Sequence, residues 1–212
     1  MADGFAQSTG KPALVNIHTA AGTGNAMGNL VAASRANTPL IVTAGQQARE
    51  MVLCDPYLSN RQETLMPLPW VKWAYQPARA EDVPAAFMRA YAVALQPPAG
   101  PVFLSIPLDD WNKQALGPAV VRTVSHRVAP DEARLFDFAQ RLNKAKRPML
   151  VFGPEVDRSG AWDVGCCLRG KGTRRGLRRT VARPRVLPRK PPSLSGRTAD
   201  DDRGSERSHA RT

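Results

Sequence analysis

Four short apolar runs constrain most strongly what this chain can fold into. They are Ala13-Leu14-Val15-Asn16-Ile17-His18, Pro39-Leu40-Ile41-Val42-Thr43, Pro101-Val102-Phe103-Leu104-Ser105-Ile106 and Pro148-Met149-Leu150-Val151-Phe152. Each is bounded by Gly or Pro and mostly fails to alternate, which predicts strands buried on both faces of a parallel sheet. Longer stretches with helical spacing separate them. Strand, helix, strand, helix is an α/β layer pattern, so the expected fold is an open, mostly parallel sheet flanked by helices.

The helical stretches can be placed. Val83, Phe87, Tyr91 and Leu95 recur every four residues, with Ala86, Ala90 and Ala94 on the neighbouring face. A helix over Glu81 to Gln96 should therefore lay one stripe on the sheet, with Glu81 and Asp82 in the first turn, where the helix dipole favours them. A second helix is expected over Pro130 to Lys146, burying Leu135, Phe138, Ala139 and Leu142 and ending in basic residues. A third should begin near Gly24 or Asn25 and run to about Ala36. Between Gly45 and Ala78 the four residues Pro56, Pro67, Pro69 and Pro77 predict connections and short helices. Trp70, Trp73 and Tyr75 read there as packing residues.

The formal charge of +12 suggests a nucleic-acid binder until its distribution is counted. Met1 to Asp157 carries 15 Lys and Arg against 13 Asp and Glu, a net of +2, whereas Arg158 to Thr212 carries 15 against 5, a net of +10. Beyond Trp162 there is no Ile, Met, Phe, Tyr or Trp. A segment of that composition buries too little apolar area to offset its chain entropy, so a disordered basic tail is expected over residues 161–212. Cys54, Cys166 and Cys167 have neither metal-site nor disulfide-framework spacing, which suits a reducing cytoplasm. No run reaches the roughly 18 to 20 apolar residues of a membrane helix, so no membrane association is expected.

The stretch VNIHTAAGTGNAMGNL, Val15 to Leu30, joins the first strand to the first helix. A dinucleotide fingerprint needs Gly-x-Gly-x-x-Gly there. Gly22 and Gly24 supply the first two, but Met27 occupies the third place and Gly28 follows one residue late. A phosphate-binding P-loop fails for want of Gly-Lys-Ser/Thr, and no Gly-x-Ser-x-Gly elbow is present. What remains is a strand-to-helix turn at the carboxyl end of a parallel strand, where open α/β sheets bind ligands, with small residues that let a flat ring approach the backbone. His18 at its mouth reads either as a histidine satisfied within the turn or as a titratable group facing that ligand.

Several blocks favour the second reading by resemblance. ADGFAQSTGKPALVNIHTAAGTGNAMGNL, NTPLIVTAGQQAREM, WVKWAYQPA, GPVFLSIPLDDWNK and RPMLVFGPEVD follow one another in order. From Ala2 to about Asp157, roughly three quarters of the chain, the sequence resembles the thiamine-diphosphate-dependent 2-keto acid decarboxylases, and among them the branch that acts on benzoylformate. The resemblance implies a pyrimidine-binding domain over residues 1–120 and the start of a middle domain over 128–160. The wider family's turn usually reads Thr-Ser-Gly-Pro-Gly-x-x-Asn; here His18 stands for the threonine and Ala20-Ala21 for the Gly-Pro, as in that branch. By the same resemblance His18 is an active-site proton-transfer group, and Ala21, Gly22 and Asn25 lie against the cofactor's aminopyrimidine ring. The implied cofactors are thiamine diphosphate and Mg2+, the substrate an aromatic 2-keto acid, and the assembly a homo-oligomer, dimer or tetramer.

The departures carry expectations of their own. The family's ylid-activating glutamate lies upstream of Ala-Asp-Gly, and its diphosphate-binding domain supplies the Mg2+ ligands, so this chain is expected to be truncated and inactive alone, with no metal ligands of its own. After Asp157 the text turns to GCCLRGKGTRRGLRRTVARPRVLPRKPPSLSGRT, the composition of a GC-rich gene read out of frame. A frameshift near Trp162 to Cys166 is the expectation, and its rival is a basic arm whose Arg174-Arg175 and Arg178-Arg179 neutralise nucleic-acid phosphates. The alternatives to the decarboxylase reading are another thiamine-diphosphate enzyme, of acetolactate synthase, oxalyl-coenzyme A decarboxylase or carboligase type, and a non-catalytic nucleic-acid-binding protein.

Overall fold

A computed structural model of the chain describes residues 1–117, 119–120, 125, 129–146, 150–161, 164 and 177–179. Its contacts divide the chain into two units, Met1–Arg127 and Val128–Thr212.

In the first unit the apolar runs form a parallel sheet. Strands β1 (Ala13–Ile17), β2 (Leu40–Gln46), β3 (Ala74–Tyr75) and β4 (Val102–Pro107) lie in the order β1-β2-β4-β3. Registers such as Ile17 opposite Ala44 and Gln46 opposite Pro107 bring the carboxyl ends of the three longer strands to one edge. β2 and β4 are the doubly buried strands that their continuous apolar text predicts: every residue of β4 is buried, as are Leu40 to Ala44 of β2. β1 differs. It is an edge strand, and Leu14 is 58% exposed while its neighbours Ala13 and Val15 pack inward.

Strand alternation sorts the core into two layers. Leu40, Val42, Ala44 and Phe103 meet Ala6 of α1 (Ala2–Thr9) and Leu30 and Ala33 of α2 (Thr19–Arg35). Ile41, Val102 and Leu104 meet α4 (Val83–Leu95) on the other face. α1, which propensity does not announce, ends at Gly10, whose φ of 71° supplies the left-handed cap and whose N–H donates to the Ala6 carbonyl.

α4 forms where its periodicity places it, entered through a 3-10 turn at Ala80–Asp82. The face presented to the sheet is corrected, however. Ala86, Ala90 and Ala94 are the buried stripe, while Phe87 and Tyr91 flank it half-buried. Alanine lets the helix backbone come close to β-branched and leucine side chains already filling the sheet surface, and the larger residues then close the sides.

The irregular connection holds α3 (Arg49–Val52) and is tied down by polar contacts. Arg49 bridges Asp110 with both guanidinium nitrogens, at 2.6 and 2.8 Å, and also reaches Asp109 at 3.0 Å and the Pro77 carbonyl at 2.8 Å. The aromatics pack as expected: Trp73 stacks on Tyr75 with ring centroids 5.3 Å apart, and Arg89 and Arg35 lie over the Trp73 and Trp70 rings. Lys72 donates to the Val93 and Gln96 carbonyls and so closes the C-terminal end of α4.

In the second unit α5 (Glu132–Lys144) is capped by the Asp131 carboxylate, which accepts from the Arg134 N–H at 2.9 Å. The expected burial of Leu135, Phe138, Ala139 and Leu142 is not found; all four are exposed, Phe138 by 62%. Amphipathic spacing specifies a helix and the side on which it is apolar, but not a partner to cover it. β5 (Leu150–Phe152) is followed by α6 (Pro154–Arg158) and pairs in parallel with β6 (Leu177–Arg179), a strand within the segment expected to be disordered. The remainder of the tail, with Arg174-Arg175, Cys166 and Cys167, lies outside the described residues, as do Pro148 and Met149 of the fourth run. Among the described residues no helix is long and apolar enough to cross a membrane.

Candidate functional site

The turn after β1 is shorter than its glycines suggest. α2 begins at Thr19, five residues before Gly24, so Ala20 to Gly24 form its first turns. Ala20 and Ala21 explain the early start: alanine is the strongest helix former, and no proline intervenes. His18 is the N-cap residue, in extended conformation at φ −96° and ψ 112°, and its carbonyl accepts the first helical hydrogen bond from the Gly22 N–H at 2.5 Å.

This start places the four candidate residues on one face. His18, Ala21, Gly22 and Asn25 fall at i, i+3, i+4 and i+7 of a helix. His18, Ala21 and Asn25 are exposed and Gly22 half-buried. The imidazole makes no capping hydrogen bond to the helix. Gly22 has its own physical reason: a Cβ there would stand 3.2 Å from the carbonyl carbon of Ile17 and 3.3 Å from its Cβ, so this glycine is where helix and strand approach most closely. Gly28 has open space around it, which removes the last rationale for a dinucleotide fingerprint.

Between His18 and Gly22 the backbone is strained. Thr19 has φ +36°, a left-handed value that a β-branched residue rarely adopts, and its buried Oγ1 has no hydrogen-bond partner among the described residues. Strain of this kind costs about 1–3 kcal/mol and is concentrated where function fixes the backbone. The next turn is anchored by Thr23, wholly buried, whose hydroxyl donates to the Thr19 carbonyl at 2.8 Å.

A second polar group at the carboxyl edge carries no sequence signal. Glu63, in the irregular segment after α3, is only 3% exposed. Its Oε2 lies 2.5 Å from the Ser105 hydroxyl on β4, which is also 2.9 Å from Oε1 of Gln76. Burial pushes the Glu63 carboxyl up from 4.5 to about 7, and the Ser105 hydroxyl works against that rise. Nearby, Gln46 at the end of β2 donates to the Asn60 carbonyl at 2.7 Å and accepts from the Asn60 N–H. An acidic residue between Gln62 and Thr64 in proline-rich text reads as surface, and only the fold shows otherwise.

Two groups bear on what the site can hold. His18, Ala21 and Asn25 present a small, solvent-facing surface. Among the described residues no cluster of three or more His, Cys, Asp or Glu is placed to bind a metal ion, so Mg2+ does not fit these residues. A concavity of about 710 Å³ between α4 and residues 116, 117, 119 and 120 is lined by groups such as Pro84, Met88 and Leu116 and includes none of the candidate residues.

Residues 1–67 match the family described as thiamine pyrophosphate enzyme, N-terminal TPP binding domain. Benzoylformate decarboxylase of Pseudomonas aeruginosa is 47% identical over 166 residues, covering 76% of this chain and 31% of that protein. A thiamin diphosphate-dependent enzyme from Mycobacterium smegmatis superposes with a TM-score of 0.77 at 76% identity, over 80% of this chain and 33% of that one. The benzoylformate decarboxylase of Polynucleobacter necessarius does so with 0.76 at 56% identity, over 79% and 32%. The acetolactate synthase large subunit of Haemophilus influenzae stands further off, at 28% identity over 72% of this chain and 28% of that protein. The chain thus spans about a third of the length of the relatives it matches.

Proposed function

Because the chain belongs to the thiamine pyrophosphate enzymes, on the benzoylformate decarboxylase branch, we propose that it forms the pyrimidine-side wall of a site that decarboxylates aromatic 2-keto acids to aldehydes. The observation that carries this reading is the stripe of His18, Ala21 and Asn25, held open to solvent beside a strained Thr19 and a Gly22 seated on Ile17.

The roles are those that the resemblance implies, and the geometry is compatible with each. Ala21 offers a methyl group and no obstruction, so a planar ring can lie flat on the first turns of α2. Gly22 keeps that turn against β1, which fixes the height of the surface. Asn25, one turn on, presents an amide that can donate to a ring nitrogen or accept from an exocyclic amine. His18 stands at the end of the stripe with its ring in solvent, suited to giving a proton to the substrate's carbonyl oxygen and taking one back as aldehyde leaves. The bound thiamine diphosphate would supply the electron sink into which the bond to carbon dioxide breaks. Among the described residues no cluster of three or more His, Cys, Asp or Glu is placed to hold its Mg2+, so those ligands would come from other groups. The isolated chain is accordingly expected to show no turnover, and in the complete family enzyme a homo-oligomer would bring the complementary half to this face.

Replacing the matched segment of the Pseudomonas aeruginosa enzyme by this chain's residues tests the reading. The hybrid should decarboxylate benzoylformate in preference to pyruvate. A hybrid that folds and binds thiamine diphosphate yet leaves benzoylformate untouched, or prefers pyruvate, refutes it.

A further inference from the structure

Ser105 carries one hydrogen and faces two acceptors. Its hydroxyl lies 2.5 Å from the Glu63 carboxyl and 2.9 Å from the Gln76 carbonyl oxygen; Ser105 and Glu63 are buried and Gln76 is half-buried. With Glu63 ionised and Gln76 as placed, one of those two contacts sets lone pair against lone pair. The other carboxyl oxygen, Oε1, is buried without a partner among the described residues, so an ionised Glu63 would also leave charge unsolvated. A protonated Glu63 removes both conflicts. Its O–H donates to Ser105, whose own O–H then donates to Gln76, and Oε1 becomes an uncharged carbonyl.

What the carboxyl holds in place is also visible. Asn60 is bonded through its backbone N–H and C=O to Gln46 at the end of β2, so residues 60–63 are pinned to both central strands. Three residues on, the Met66 methyl lies 3.3 Å from where a Cβ on Gly24 would stand, beside Asn25 on α2. Among the described residues no charged group bears on Glu63. From β4 Ser105 meets its carboxyl, and from the loop after β3 Gln76 meets that same hydroxyl; neither Ser105 nor Gln76 titrates. Arg61 on its own segment is engaged by Asp55 at the surface, and Asp109 and Asp110 beyond β4 are engaged by Arg49.

We propose that Glu63 is carried as a neutral carboxylic acid and serves as a proton-dependent latch that holds residues 60–66 against the face of α2. The latch is a property of the chain itself; it rests on the decarboxylase reading only in what the held face is for. Burial raises the carboxyl from 4.5 to about 7, so the folded segment keeps a proton that the released segment loses. The sign is fixed by that order: the latch is fully closed below about 4.5, weakens as pH rises, and is weakest above about 7.

Hydrogen exchange of the whole chain tests it. Corrected for intrinsic exchange, the protection of amides 60–66 should fall about tenfold per pH unit from about pH 5 to 7 and level off above, because opening releases one proton. In Glu63→Gln the same amides should show no such dependence, since the amide cannot ionise. Equal pH dependence in both proteins overturns the latch. Should Glu63→Gln fail to fold, the unmutated chain decides: with carboxyl-labelled glutamate, one resonance titrating near neutrality supports the proposal. Ordinary titration of every glutamate overturns it and assigns Gln76 the rotated amide, with its NH2 toward Ser105. Neither readout involves the cofactor, so failure here is distinct from failure of the hybrid enzyme.

Discussion

Replacing Arg49 by methionine should unfold the first unit more readily than any other single surface-reaching substitution in it. The Asp110 side chain is 1% exposed, and among the described residues the hydrogen bonds to its carboxylate come from Arg49 alone, at 2.6 and 2.8 Å. Asp109 is less dependent, because Lys113 remains 3.5 Å away. Breaking a buried pair from one side costs about 3–5 kcal/mol, since the surviving charge stays desolvated. Arg49 is itself 30% exposed, and water entering along its path will solvate part of Asp110. About 3 kcal/mol is therefore expected, the low end of that range. With a urea slope of about 2 kcal/mol per molar, the midpoint should drop by about 1.5 M. The double variant Arg49→Met, Asp110→Leu should recover most of the loss, because it removes the stranded charge rather than the attraction. There is also an acid limb. Burial works to raise the Asp109 carboxyl, but hydrogen bonds from the Arg49 backbone and guanidinium outweigh it and hold it below its ordinary 3.8. That contribution is present above pH 3.8, is lost as pH falls further, and should shrink but not vanish in Arg49→Met, whose backbone N–H at position 49 still donates to Asp109. A loss under about 1 kcal/mol for Arg49→Met, or a double variant as unstable as the single one, would refute the reasoning.

Three further substitutions have outcomes that the packing dictates. Gly22→Val drives side-chain carbon to 3.2 Å from the Ile17 backbone, which cannot yield, so it should cost about 1–3 kcal/mol and displace His18, read as broadened NMR signals over the first turns of α2. Ala90→Leu overfills a wholly buried position above Ile41 and Val102 and should cost about 1–3 kcal/mol in urea unfolding; an unchanged midpoint would mean that the alanine stripe is not the face on the sheet. Leu14→Ser, on the open side of the edge strand, should stay within about 0.5 kcal/mol of the parent, and a large loss would show that β1 is covered.

The parts of the fold that were legible in the text are those where one physical cause dominates. β2 and β4 are central strands, so their apolar runs answer to burial alone and their position and parallel pairing follow. β1 carries the same kind of text but lies at the edge, which no local pattern announces. The extent of α4 was readable from its spacing, yet size misled as to its face: the large residues drew attention, whereas the sheet required small ones. The start of α2 is hidden because Gly22 and Gly24 read as loop, while in the chain one is a packing device and both are helical. α1, with Gly4, Ser8 and Thr9, has weak helix propensity and is held by Ala6 against the core. At the site, the spacing of His18, Ala21, Gly22 and Asn25 became one face only once the helix began at Thr19. Their roles came from resemblance rather than from pattern. Glu63 was illegible because its burial depends on Ser105, 42 residues away.

Turnover of the hybrid enzyme carrying His18→Ala is the measurement that tests the central claim most directly. The variant should bind thiamine diphosphate as the parent hybrid does, because Ala21, Gly22 and Asn25 are untouched, while kcat for benzoylformate falls by about 10²- to 10⁴-fold, the usual contribution of a positioned proton-transfer group. A His18→Ala hybrid that turns over benzoylformate at the parent rate contradicts the account, since the open stripe on α2 would then face something other than the reacting carbonyl.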